Sequence, residues 1–285
     1  MIHYYFFKNV ITNLDNEILE KLEFDDNLVF NLANFNNTPS FYSLFHITRN
    51  DKYKIQNYFD GMEFNSFIVE CMINLQKNNN YKQLLFLYAM VAHRTLNDYL
   101  YPYVNALKSS DYSFTTAINM LDFYDAKRNG FDVTKDSIVK EFHDSFVYYD
   151  YMDELIRYPM VKAFKLMSSE SYFKRCYRKK KTFYKKYAKV KYRMVLLKLW
   201  SLFFRKHGII PTDFPYRKKI DTKLLNVKKD HYKIGEREYC DSLDEILKNA
   251  LKDSLTIISA INSYLFDNND QKIRKIYNIP EEKKL

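Results

Sequence analysis

Four glycines and six prolines in 285 residues leave this chain little material for tight turns. Average usage is about 7% glycine and about 5% proline, roughly five times and twice what is present. Strand-rich folds need turn residues at short intervals, so the scarcity points to long helices joined by a few loops. The length can bury a sizeable core, and 47% of the residues are hydrophobic. The expected fold class is therefore all-α, a single-domain multi-helix bundle.

Apolar spacing predicts where the helices fall. A short one is expected over 9–23 through Ile11, Leu14, Ile18, Leu19 and Leu22. The Asn-rich stretch 25–56 reads as a loop. Helical spacing returns over 58–77 with Met62, Phe67, Ile68, Cys71, Met72 and Leu75. Leu84 to Val104 is apolar nearly all round, the mark of a central helix. His93, Asn97 and Tyr101 interrupt it at i, i+4 and i+8, hence on one face. Further helices are expected over 111–127, 134–168 and 242–266, the last opening at Ser242 with Glu245 close to a capping-box position. The helical domain is drawn over 1–270, and the charged tail 271–285 is expected to fray.

Several functional classes are excluded early. Cys71, Cys176 and Cys240 lie far apart with no Cys-x-x-Cys pair, which suits a reducing compartment and offers no zinc ribbon. Cys71 would be a nucleophile only with a histidine beside it, and nothing in the sequence places one. The first eight residues, Met1 to Lys8, make a poor signal peptide. No apolar run reaches about 18 residues without a charge. No phosphate-binding glycine loop, nucleophile elbow or dinucleotide fingerprint occurs. A soluble, cytoplasmic protein is expected.

The order of segments carries a resemblance. Ile2-His3-Tyr4-Tyr5-Phe6 opens the chain, followed by Asn37-Thr38-Pro39-Ser40-Phe41-Tyr42 and then Gly61-Met62-Glu63. The central helix reads His93-Arg94-Thr95-Leu96-Asn97-Asp98-Tyr99-Leu100-Tyr101-Pro102-Tyr103. Leu225-Asn226, His231-Tyr232 and Ser242-Leu243 close the series. In this order and spacing the chain resembles the bacterial zinc-dependent phospholipases C, whose helical fold is related to that of P1-type nucleases. The resemblance implies that fold type and a cleft holding three divalent metals.

Residue by residue, the implied ligand set is depleted. His3 and His93 match two of the family's histidines. Ser40 stands where the loop aspartate is expected, Glu63 where a histidine is, Asn97 where the central aspartate is, and Tyr101 where the last histidine is. The family's His-x-x-x-Glu element is absent. Asp98 lies about 100° round the helix from Asn97 and is a poor stand-in. Two outcomes follow from the resemblance. If His3, Glu63 and His93 converge, they hold at most one zinc with an open position. Otherwise the histidines are structural, and Asn97 and Tyr101 hydrogen-bond His93 and fill the vacated cavity with neutral groups, which avoids burying unpaired charge.

A second feature is electrostatic. From Ser171 to Thr212 there is no acidic residue, while Lys174, Arg175, Arg178, Lys179, Lys180, Lys181, Lys185 and Lys186 crowd one segment among aromatics. Such a helix either packs its aromatics on a core and solvates its charges, or docks on an anionic partner. The net charge of +10 favours anions but names none. By analogy with the family, a membrane surface or phospholipid fits better than nucleic acid. The expected function is that of a phospholipase C-like pseudoenzyme, peripheral at a membrane. The alternative is an active metal-dependent phosphodiester hydrolase, acting on phospholipid headgroups or nucleic acid through a single-metal site.

Overall fold

The computed structural model describes residues 1–39, 58–59, 61–78, 80–111, 113–131, 145–165, 171–187 and 220–279, with the backbone alone at 171 and 183–187. The architecture is mostly helical, as the turn-residue scarcity requires. Ten α-helices lie among the described residues: α1 (Ile2–Thr12), α2 (Asn16–Leu19), α3 (Asp26–Ala33), α4 (Glu63–Gln76), α5 (Tyr81–Leu107), α6 (Phe114–Arg128), α7 (Asp150–Phe164), α8 (Ser171–Tyr187), α9 (Leu243–Asp267) and α10 (Gln271–Tyr277). The strands there are β1 (Tyr232–Ile234) and β2 (Arg237–Tyr239), one antiparallel hairpin with Tyr232 opposite Tyr239.

The central helix, α5, is 27 residues long and buried without a break from Gln83 to His93. Its start is capped by Asn80, whose side chain accepts from the backbone N–H groups of Lys82 and Gln83. With α1, α3, α4, α7 and α9 all packed on it, no face of its first half is free to be polar. A single cluster of buried apolar side chains runs from Ile2 to Ile273. Within it Phe35 meets the rings of Phe59, Phe86 and Phe173, at 5.9, 4.5 and 5.3 Å between centroids. Such ring pairs add about 0.5–1.5 kcal/mol each beyond burial. They pin the segment just after α3 against the central helix.

Local differences from the sequence expectations have identifiable causes. The helix expected over 9–23 begins at Ile2, breaks at Asn13–Asp15 and resumes only briefly as α2. The Ile2 N–H, which has no intrahelical partner, donates to Asp122 Oδ1 of α6 at 2.9 Å, a tertiary cap invisible locally. The stretch read as a loop contains α3, started by Asp25, which accepts from the Leu28 N–H at 2.7 Å. Its residues 40–57 lie outside the described residues. Met62, placed on an apolar face by its spacing, is 89% exposed because it sits outside α4 at its N-cap. Of the helix expected over 134–168, α7 covers 150–164, and residues 132–144 lie outside the described residues.

The C-terminal part agrees more closely. Ser242 and Glu245 form a reciprocal capping box at the start of α9. The tail expected to fray carries α10, anchored by the buried Ile273. Asn226 is buried in a left-handed conformation (φ 43°) and ties the loop before β1, its amide donating to the carbonyls of Asp230 and Asp241 at 3.0 Å each. Asparagine tolerates that backbone region better than most residues.

Candidate functional site: a buried histidine pair

The last carbonyls of an α-helix have no partner within it and must be satisfied from outside. At the end of α3 this is done by His93, Lys180 and two residues of the segment itself, Asn34 and Thr38. His93 of α5 donates Nδ1–H to the Ala33 carbonyl at 2.8 Å. Lys180 of α8 donates to the Asn34 carbonyl at 2.9 Å and to Thr38 Oγ1 at 3.2 Å. Thr38 itself donates to the Asn34 carbonyl at 3.1 Å, and the Asn34 side chain to the Phe30 carbonyl at 2.8 Å. A cation at a helix C-terminus also complements the helix dipole. Lys180 is only 2% exposed, and its ammonium stands 5.0 Å from the Phe146 ring centroid.

His3, on the buried face of α1, stacks on His93 with 4.0 Å between ring centroids and 19° between planes. His3 donates Nε2–H to Asn97 Oδ1 at 2.8 Å. The structure thus brings His3, His93 and Asn97 together in one place, without Glu63. From the sequence Asn97 was expected to serve His93, whereas it serves His3. Tyr101 is half-buried and packs edge-on against Phe114 at 5.1 Å. Ser40 lies outside the described residues.

Both imidazoles are held neutral. Burial lowers the His3 pKa to about 4, its bond to Asn97 opposing and the nearby Lys180 charge assisting. Burial likewise pushes His93 well below the ordinary histidine value, with His3 and Lys180 adding to the effect. A neutral His93 that donates through Nδ1 carries its lone pair on Nε2, and that buried atom has no hydrogen-bond partner among the described residues.

The residues present do not fit the metal cluster that the resemblance implies. Lone pairs of imidazole lie in the ring plane, so two rings stacked nearly parallel do not converge on one ion. Asn97 Oδ1 is occupied by His3. Glu63, at the first turn of α4, is exposed, while His3 and His93 are buried. Among the described residues no three His, Cys, Asp or Glu side chains are grouped as ligands. The ammonium of Lys180 adds positive charge where a dication would need negative charge. General-base chemistry is poorly served too, since bases acting near neutrality need pKa values near 7. Cys71 is buried with its thiol pKa pushed well up, so it is no thiolate nucleophile.

The basic segment divides along α8. Tyr172, Phe173, Cys176, Tyr177 and Lys180 form its buried stripe. Lys180 therefore leaves the set of surface charges and joins the site. Lys174, Arg175 and Arg178 are exposed on the other face and make no ion pair with a described residue, while Lys179 and Lys181 are half-buried at its margins. The side chains of Lys185 and Lys186, and all of 188–212, lie outside the described residues. Among the described residues no helix is long and apolar enough to cross a membrane. Lys180 was assigned to the anionic surface because a basic run reads as surface, and its burial corrects that; its i+3/i+4 relation to Tyr177 and Cys176 was the available signal. No family model, curated protein or solved structure matches this chain.

Proposed function

We propose that this chain is a non-catalytic relative of the zinc-dependent phospholipases C, of the same helical fold type, that binds anionic phospholipid surfaces through the exposed face of α8. The observation that carries the reading is the use made of the two histidines. In place of a metal centre, His93 and Lys180 cap α3, and His3 is satisfied by Asn97. One nitrogen of each histidine and the side chain of Asn97 are thereby committed to holding the scaffold together.

What remains available for binding is the row Lys174, Arg175 and Arg178, held in place by the aromatic stripe behind it. Each basic side chain at an anionic bilayer contributes about 1 kcal/mol. Replacing all three by glutamate is expected to weaken binding to phosphatidylserine vesicles by at least about 100-fold. Cosedimentation at low salt tests this against phosphatidylcholine vesicles and against duplex DNA. Retention on neutral vesicles, or stronger retention on DNA than on phosphatidylserine, contradicts the lipid reading.

One observation favours the alternative of a single-metal phosphodiester hydrolase. His93 Nε2 has no partner among the described residues, on a ring oriented through its other nitrogen, the arrangement common in metal-binding histidines. That reading requires stoichiometric zinc and hydrolysis of a phosphorylcholine ester, both lost in His93→Ala.

A further inference from the structure

The segment leading into α7 lies between α3 and α8. Asn31 of α3 donates to the Val147 carbonyl at 2.6 Å, and Ser145 donates to Asn27 Oδ1 at 2.7 Å. On the other side the Tyr148 ring stands 5.5 Å from that of Tyr177 and 6.1 Å from that of Phe173, both on the buried stripe of α8. Three large apolar side chains stay in water here: Phe24, Val147 and Tyr149 are 42%, 37% and 37% exposed. Single apolar residues at a surface need no explanation, but a group of them rimmed by charge marks an interaction site.

The rim differs in sign from one side to the other. Beside Phe24, Glu23 and Asp25 are exposed, and Asp150 follows Tyr149 at the start of α7, exposed as well. Burial and the Asp25 charge together raise the Tyr149 pKa, which fits an acidic strip bordering that ring. Lys82 pairs with Glu23 at 3.8 Å, while Asp25 and Asp150 make no ion pair with a described residue. On α8, Lys174 stands three residues before Tyr177 and Arg178 four after Lys174. This exposed basic row therefore runs along the helix next to the ring that meets Tyr148.

The order across the face is acid, apolar, base. A uniformly basic partner covering the whole face meets repulsion at Lys174 and Arg178, and a uniformly acidic one meets it at Asp25 and Asp150. A surface of this order is instead complementary to itself after a half-turn. About a two-fold axis through the apolar strip, the acidic side of each copy meets the basic side of the other, twice. We propose that two copies of this chain associate through this face as an isologous pair, with Asp25 and Asp150 of each copy against Lys174 and Arg178 of the other. The pair and a bilayer use the same basic row and exclude each other, but the inference does not rest on the lipid reading, and its test contains no lipid.

Sedimentation equilibrium of the intact chain tests it. A dimer is expected at about 100 μM chain in about 0.1 M salt, where a Debye length of about 10 Å screens the net charge of +10 but not ion pairs in contact. Near 1 M salt the dimer should weaken at least about tenfold. Lys174→Glu with Arg178→Glu sets acid against acid, and Glu23→Lys with Asp150→Lys sets base against base. Each double variant alone should pair at least about tenfold more weakly, and an equimolar mixture of the two should recover pairing to within about tenfold of the parent chain. Phe24→Ser, at an exposed position, reads the apolar strip separately and should weaken the dimer at least about fivefold. The proposal is overturned if the intact chain stays monomeric at about 100 μM in about 0.1 M salt. It is equally overturned if both double variants dimerise like the parent, or if the two, each folded by circular dichroism, fail to pair on mixing.

Discussion

His3 and His93 lie face to face, 4.0 Å apart, yet each sends its one N–H to a different acceptor, Asn97 for His3 and the Ala33 carbonyl for His93. The pair is held by neutral hydrogen bonds and stacking, beside the buried ammonium of Lys180. That relationship governs how the protein should respond to acid, to substitution and to metal.

Acid should destabilise the fold through this pair. His3 has a pKa of about 4 when folded and an ordinary value near 6.5 when unfolded. The unfolded chain therefore binds more protons between those values, so the His3 contribution is fully present above pH 6.5 and is lost as pH falls towards 4. Linkage gives about 3 kcal/mol for this residue alone. Urea unfolding between pH 7 and 4.5 should show this decline, and His3→Gln should flatten it. An unchanged slope in the variant contradicts the buried neutral pair.

Asn97→Asp restores the carboxylate that the phospholipase resemblance expects and sets a negative charge against His3 Nε2. The imidazolium then gains a charged partner, so the His3 pKa should rise by about 1–3 units. Imidazole proton shifts followed against pH measure it directly. No upward movement would mean that His3 and Asn97 are not in contact in solution.

Lys180 separates structure from surface. Lys180→Met removes the charged donor from the Asn34 carbonyl and Thr38, leaving Thr38 as the carbonyl's remaining donor, and hydrogen bonds to charged groups contribute about 1.5–3 kcal/mol. Lys174→Met, on the exposed face of the same helix, should change stability by less than about 0.5 kcal/mol. Vesicle binding should rank the two the other way, with Lys174→Met weaker and Lys180→Met unaffected once folded. Equal stability effects would return Lys180 to the surface.

At the other end of the fold, Ser242→Ala removes one half of the capping box on α9, and about 1 kcal/mol of stability should go with it. Chemical denaturation reads the loss. Glu245 also pairs with Lys229 at 2.7 Å, so Lys229→Ala should cost less than the cap does, as exposed ion pairs contribute little.

The elements legible in the sequence were those whose signals are local. Helix α5 announces itself by a long apolar run, and α9 by its apolar spacing and the Ser242–Glu245 pair. The polar trio at 93, 97 and 101 marks a site because helical spacing alone puts those residues on one face. What escaped depends on distant partners. The start of α1 relies on Asp122, over a hundred residues away, and α3 hides in an Asn-rich stretch whose stability comes from Phe30, Phe35 and the rings around them. Lys180 looked like one more surface charge because only the folded chain brings the end of α3 to it. Glu63 was grouped with the histidines by the resemblance alone, and it is exposed at the first turn of α4 while they are buried.

The most direct test of the histidine pair as a scaffold device is the zinc content of the purified chain after dialysis against micromolar zinc, read by elemental analysis alongside His93→Ala. The account predicts no stoichiometric zinc in either protein. One zinc held per chain, and lost on His93→Ala, would contradict it and restore the metal-dependent reading.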